Sequence, residues 1–238
     1  MGPLLYFALS VIQLSSILAT EQIPLKCFLQ DYNFFNIFDT SAVKTSSNVV
    51  PKTHSLHFDT VTVNSAGFDI DGWKHDGTNI KFQGLNDAIL DEFGFNFTAK
   101  VLQLTFHTDM VVTYDYKSSG TLFSTPINGE GFAEVSLKNI QVSFIVPFDI
   151  KKDNDKKFIE LKSFNYSYDI RDNATFKFLS LTSTNKELSE SIEQQINQRW
   201  KYLTVHFGKV FYDSLAEKIF NVLKNYVMNF PLKNFGEC

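Results

Sequence analysis

The sequence predicts an α+β domain in which one long C-terminal helix is wrapped by a strongly curved, mainly antiparallel β-sheet. From Leu56 to about Leu181 apolar residues alternate with polar ones, the period of strands with one buried and one wet face. From Leu188 to Phe230 they recur at steps of three or four, the period of a helix. The longest strand and the helix are also matched in length, so each offers the other a surface to bury.

Residues 1–20 read as a signal peptide. Leu4 to Leu18 is mostly apolar, and a stretch of about 15 residues is too short to span a bilayer comfortably. Ala19 and Thr20 supply the small residues of a cleavage site, which leaves 21–238 as a single domain. No Lys or Arg precedes the apolar stretch, and an uncleaved signal anchor is the rival reading. Pro24 to Phe38 then suits a short amphipathic helix, and Val49-Val50-Pro51 an extended connection.

The clearest strand is Val101 to Tyr116. Leu102, Leu104, Phe106, Met110, Val112, Tyr114 and Tyr116 share one parity, interrupted only by Thr108, over about 50 Å. Lys117-Ser118-Ser119-Gly120 reads as a turn. Ala133, Val135 and Leu137 mark a second strand, and Val142, Phe144, Val146, Phe148 and Ile150 a third, ending at the charged hairpin Lys151 to Lys157. Phe164, Tyr166, Tyr168 and Ile170 mark a fourth, with a turn at Arg171-Asp172-Asn173. Such consecutive strands make an antiparallel meander.

The final helix spans roughly 45 residues, ~65 Å if straight. Thr184 or Asn185 caps its start, Glu187 favours its N-terminal dipole, and Pro231 stops it. Thr204 to Gly208 is its weakest stretch and the expected bend. No heptad persists along it, which argues against a coiled coil.

Composition narrows the function. A net charge of −4 with scattered Lys and Arg gives no basic stripe, so nucleic acid is not an expected partner. No later apolar stretch is long enough for stable membrane insertion. The 25 Phe and 9 Tyr against 2 Trp fit both an AT-rich genome and an aromatic-lined interior. Asn96, Asn165 and Asn173 open N-glycosylation sequons and, with the leader, predict a secreted, extracellular protein. Cys27 and Cys238 form a bridge across the whole domain or remain free or intermolecular; both readings stand.

Catalytic chemistry finds no support. The five histidines, His54, His57, His75, His107 and His206, lack the spacing of helical metal ligands, and no Gly-x-Ser-x-Gly is present. Gly129-Glu130-Gly131 reads as a turn, Asp69 and Asp71 as a solvated strand edge, and His107 as a solvated residue. His206 is either a cavity residue or an ordinary surface or core histidine. No catalytic residue, metal or cofactor is assigned.

Several local motifs resemble the takeout and haemolymph juvenile-hormone-binding family of arthropods. Ile80-Lys81-Phe82-Gln83-Gly84-Leu85-Asn86 resembles its aromatic-x-Gly-Leu-Ser/Asn segment. Tyr114 to Gly120 is similar to its Tyr-x-x-x-Gly strand-turn, and Pro126-Ile127-Asn128-Gly129-Glu130-Gly131 to its Pro-Ile-x-Gly-x-Gly turn. Lys186-Glu187-Leu188 and Ile196-Asn197-Gln198-Arg199-Trp200 resemble the start of its long helix. The resemblance runs from about Lys26 to Phe235 and implies a tubular lipid-binding fold with an elongated hydrophobic tunnel. One departure is plain: the family's two neighbouring N-terminal cysteines are reduced here to Cys27.

The expected function is therefore a carrier of a small hydrophobic ligand: a juvenile-hormone-like terpenoid, a fatty acid or an odorant-like lipid. The alternative is a secreted interaction module whose tunnel is filled by its own side chains. An unidentified protein receptor is an open partner in either case. Candidate tunnel-lining residues are Leu102, Leu104, Phe106, Met110, Val112, Tyr114, Phe144, Val146, Phe148, Trp200, Leu203, Phe207 and Phe211. Each also has a reading as ordinary core. Tyr114 is the candidate polar handle, because a buried hydroxyl needs a partner.

Overall fold

The computed structural model of the chain describes residues 60–182 and 186–228. Seven strands precede three helices: β1 (Thr60–Ile70), β2 (Trp73–Gln83), β3 (Ile89–Asn96), β4 (Val101–Leu122), β5 (Thr125–Asp153), β6 (Lys156–Leu161), β7 (Asn165–Phe178), α1 (Lys186–Gln198), α2 (Trp200–His206) and α3 (Lys209–Met228). Two very long strands, β4 with 22 residues and β5 with 29, pair antiparallel and form the spine. Each is flanked by two shorter strands laid end to end. On β4 these are β2, along Val111–Gly120, and β3, along Val101–His107. On β5 they are β7, along Ala133–Ile145, and β6, along Phe148–Asp153. Strand β1 pairs with β2 at one end of the path.

The period-two reading of the faces holds in detail. In β4 the even-numbered residues from Leu102 to Ser118 are all buried, Thr108 included. In β5 the buried parity is odd as far as Leu137 and even from Ile140. The switch sits at Asn139, whose φ of 53° places it in the left-handed region, where the register against β4 slips. Asp109 on β4 fixes this bulge: its carboxylate accepts the Asn139 N–H at 2.9 Å and the Lys138 ammonium at 2.7 Å. Further slips occur in β2 after Thr78, in β3 after Leu90 and between β5 and β7 beside Lys138. Bulges sharpen twist and bend strands, and this series curls the sheet around the helices.

Four sequence expectations are corrected. Lys117–Gly120 is strand, because it pairs with both β2 and β5; the turn comes at Phe123-Ser124, both with positive φ. Pro126–Gly131 is also strand. The runs Ala133–Leu137 and Val142–Ile150 belong to one strand whose parity is reset by the bulge. Arg171–Asn173 does not turn: it is the irregularity within β7, which continues to Phe178. In each case polar residues on a wet face, or one extra residue, imitated a loop.

The single long helix is three helices. The expected bend is present, since α2 ends at His206 and α3 begins at Lys209. A second break at Arg199 lacked any glycine or proline to announce it; the residue has φ −114° and ψ 27°. The apolar spacing survives the break because both pieces keep their apolar side inward, with Ile192, Ile196 and Leu203 buried. Helices α1 and α2 pack on β7, whereas α3 reaches β1 and β6. The signal peptide, the Pro24–Phe38 helix, Val49–Pro51, His54, His57, Cys27, Cys238, the caps Thr184 and Asn185, and Pro231 lie outside the described residues.

Candidate functional site

Where the helices break, the core leaves an aromatic chamber. The strand β2 begins Trp-Lys-His-Asp-Gly, and its alternation turns Trp73 and His75 inward while Lys74 and Asp76 face solvent. Phe68 from β1, Val112 and Tyr114 from β4, and Phe176 and Phe178 from β7 join them. The helices close the other side with Ile196, Leu203, Phe207, Phe211 and Tyr212. The cavity measures about 60 Å³. Its walls are rings in mutual contact: Phe207 lies 4.8 Å from Phe68 and 5.0 Å from Trp73, and Tyr114 lies 5.3 Å from Phe211.

Few polar groups reach this space, and most have partners. The Trp73 indole N–H donates to Ser118 Oγ at 2.7 Å. The Tyr168 hydroxyl donates to the Thr204 carbonyl at 2.8 Å, at the end of α2, and Thr204 Oγ1 donates to the Lys201 carbonyl. Tyr116 donates to the Leu179 carbonyl at 2.8 Å.

His75 is an exception. It is only 2% exposed and stacks between Phe68 and Tyr116, at 5.6 and 5.4 Å. Its Nε2 meets the Tyr114 hydroxyl at 3.3 Å, and its Nδ1 has no partner. Burial pushes its pKa down to about 4, against a smaller upward pull from Asp76. The ring is therefore neutral at ordinary pH. Burial likewise raises the Tyr114 and Tyr212 phenols, which stay protonated.

Of the thirteen candidate lining residues, Val112, Tyr114, Leu203, Phe207 and Phe211 surround this chamber. Leu102, Leu104, Phe106, Met110, Phe144, Val146 and Phe148 are buried elsewhere along the sheet, and Trp200 is half-buried on α2. Tyr114 does meet a polar partner, as a buried hydroxyl requires. The sequence reading overlooked His75, Trp73, Phe176 and Phe178. For the first two the signal was present, in the shared parity of Trp73, His75 and Gly77; the last two were hidden by the supposed turn before them.

The other singled-out groups lie apart from the chamber. His206 is exposed and rests against Tyr202 at 4.5 Å. His107 is half-buried rather than fully solvated, because its Nδ1 pairs with Asp91 at 2.7 Å. Asp69 and Asp71 are exposed. Among the described residues no three His, Cys, Asp or Glu side chains gather as a metal site, and no helix is long and apolar enough to cross a membrane.

Known proteins match the chain both by family model and by structure. The model of the haemolymph juvenile hormone binding protein family matches residues 46–236. The crystal structure of Takeout 1 from Epiphyas postvittana superposes with a TM-score of 0.73 at 28% identity, covering 78% of this chain and 86% of that one. No curated protein matches the chain in sequence.

Proposed function

Since the chain belongs to the haemolymph juvenile hormone binding protein family, we propose that it is a secreted, non-enzymatic carrier of a small hydrophobic ligand. The observation that supports this most is the aromatic chamber between the curled sheet and the broken helices. Burial of an apolar ligand gains ~0.8 kcal/mol per CH₂. A ligand of about 15 carbons would gain roughly 10–12 kcal/mol, from which association removes several. The ligand classes in view are a juvenile-hormone-like terpenoid, a fatty acid and an odorant-like lipid.

The chamber's size also supports a second reading. Ligand pockets measure about 300–1,000 Å³, and this cavity of about 60 Å³ is well below them. A carrier must therefore swing rings such as Phe207 or Phe211 aside, or extend the cavity along the core past Val112 towards Phe106. Otherwise the protein is a secreted interaction module whose interior is filled. Secretion through cleavage near Ala19 or Thr20 belongs to the same proposal, as does glycosylation. Asn165 and Asn173 are exposed, whereas Asn96 is half-buried and accepts the Ala99 N–H at 2.8 Å.

Native mass spectrometry of the protein secreted from insect cells, followed by organic extraction, separates the two readings. A carrier retains an extractable apolar molecule or takes up added terpenoid or fatty acid. Persistent absence of ligand and of uptake would leave the filled module.

A further inference from the structure

The short helix α2 has two unlike faces. Leu203 and Phe207 turn inward, whereas Tyr202, Val205 and His206 follow one another at steps of three and four on the outer side. Val205 is 72% exposed, and among the described residues no large apolar side chain is more so. Tyr202 is exposed as well, with half-buried Trp200 beside it and Phe123 of the β4–β5 turn 6.4 Å away. Two cations lie over these rings. The Arg199 guanidinium is 4.5 Å from the Phe123 centroid, and the Lys201 ammonium is 5.3 Å from that of Trp200. Both residues are exposed, and among the described residues neither pairs with a carboxylate. Residues 199–209 hold Arg199, Lys201 and Lys209 and no Asp or Glu, in a chain whose net charge is −4. Carboxylates on the neighbouring helices are engaged elsewhere: Glu193 accepts the Phe178 N–H, and Asp213 accepts Lys209 and the Tyr166 hydroxyl. Asp71, on the turn whose Gly72 carbonyl accepts the Thr121 N–H, offsets one positive charge at this end.

We propose that the outer face of α2, together with the β4–β5 turn, is a docking surface for a lipid bilayer that carries anionic headgroups. This goes beyond the carrier reading and stands whether or not the chamber takes up a ligand. Trp and Tyr, apolar with one polar atom, favour the boundary between headgroups and acyl chains. Val205 and Phe123 enter that boundary, while Arg199 and Lys201 keep their charges at headgroup level. A helix of seven residues, ~10 Å long, lies in the interface rather than across it. A protein partner fits less well. Only a handful of residues form the face, against roughly 20–30 a side in a stable protein interface, where Lys is also depleted.

The test sediments the full-length secreted protein with sucrose-loaded vesicles of phosphatidylcholine, alone or with about 30% phosphatidylserine. Each Lys or Arg at an anionic surface raises partitioning about fivefold, so wild-type protein should favour the mixed vesicles by about tenfold or more. Lys201→Glu and Val205→Glu should each lose about tenfold or more of that binding. Lys157→Glu makes the same charge change on the exposed hairpin at the other end of β5. In about 0.1 M salt, where charges act over about 10 Å, it should lose less than about twofold. Equal losses for Lys201→Glu and Lys157→Glu, or none for Val205→Glu, would overturn the site. Vesicles with brominated acyl chains give a readout on wild-type protein alone. The chain's two tryptophans are Trp73, which is buried, and Trp200, so docking should quench the Trp200 emission. Unquenched emission from sedimented protein, or wild-type protein that binds neither vesicle, refutes docking by this face. A wild-type dimer that Val205→Glu separates would assign the face to a second copy instead.

Discussion

His75 ties the protein's stability to pH. In the unfolded chain its imidazole titrates near 6.5, and in the folded chain near 4. Between those values the unfolded state binds a proton that the folded state refuses. Stability is therefore complete above about pH 6.5 and declines as pH falls towards 4, by roughly 3 kcal/mol from this residue alone. Asp76 opposes the loss, and the phenols of Tyr114 and Tyr116 stay neutral throughout. Urea unfolding at pH 7.5 and 4.5 should show the decline in wild-type protein and a clearly smaller one in His75→Phe. Gly131 makes a second residue-scale case. A Cβ there would lie 2.1 Å from the Leu179 carbonyl oxygen, so the missing side chain is what lets that segment cross β5. Gly131→Ala should destabilise by about 1–3 kcal/mol, read from the thermal midpoint. The Gly-x-Gly spacing suggested a turn because close backbone approach and turning both select glycine.

At the scale of elements, the helices do more than cover the sheet. Strand β7 pairs with β5 along one edge, and side chains of α1 occupy part of the other. Asn197 donates to the Phe176 carbonyl at 2.8 Å and accepts the Phe176 N–H at 2.7 Å, and the Glu193 carboxylate accepts the Phe178 N–H at 2.8 Å. These contacts imitate a neighbouring strand and protect an otherwise open edge. Asn197→Ala should cost roughly 2 kcal/mol and raise amide exchange at Phe176, and Asn197→Asp should not rescue it, because a carboxylate oxygen would face the Phe176 and Glu193 carbonyls. They also bear on why the break at Arg199 was illegible. Holding Asn197 against a strand is a tertiary demand, and the apolar spacing continues through the break unchanged. The bend at Gly208 was readable because glycine weakens a helix locally.

Across the whole molecule, the faces of the sheet were legible and the lengths of its strands were not. Leu102 to Tyr116 announces its buried side by alternation alone. Nothing in Ala133–Ile150 states that two opposite parities belong to one strand, because a bulge and a loop leave the same trace. The site suffered for the same reason. The alternating runs mark inward residues along both spine strands, yet the chamber forms only where the helix breaks and the two ends of β2 and β7 meet. Towards the far end, Phe95 and Phe97 pack on Phe148, while Phe164 stacks on Phe220 at 4.7 Å. Aromatic residues are thus common to open and filled stretches, and their abundance could not separate the two.

The parity switch at Asn139 makes residue count, rather than residue type, the quantity to which this protein is most sensitive. Asn139 is the extra residue of the bulge, so removing it would join Leu137 and Ile140 in one alternation, whereas removing a paired residue such as Ser143 would turn Phe144, Val146 and Phe148 outward. Deletion of Ser143, an uncharged and partly exposed residue, should therefore leave no cooperative unfolding transition by circular dichroism, whereas deletion of Asn139 should retain one. Asn139→Gly, which preserves the count and suits the positive φ, should unfold within about 1 kcal/mol of wild type. In descent, such a sheet tolerates exchange of letters far better than a change of spelling length: an insertion within the spine survives only if a bulge absorbs it or a second one restores the phase.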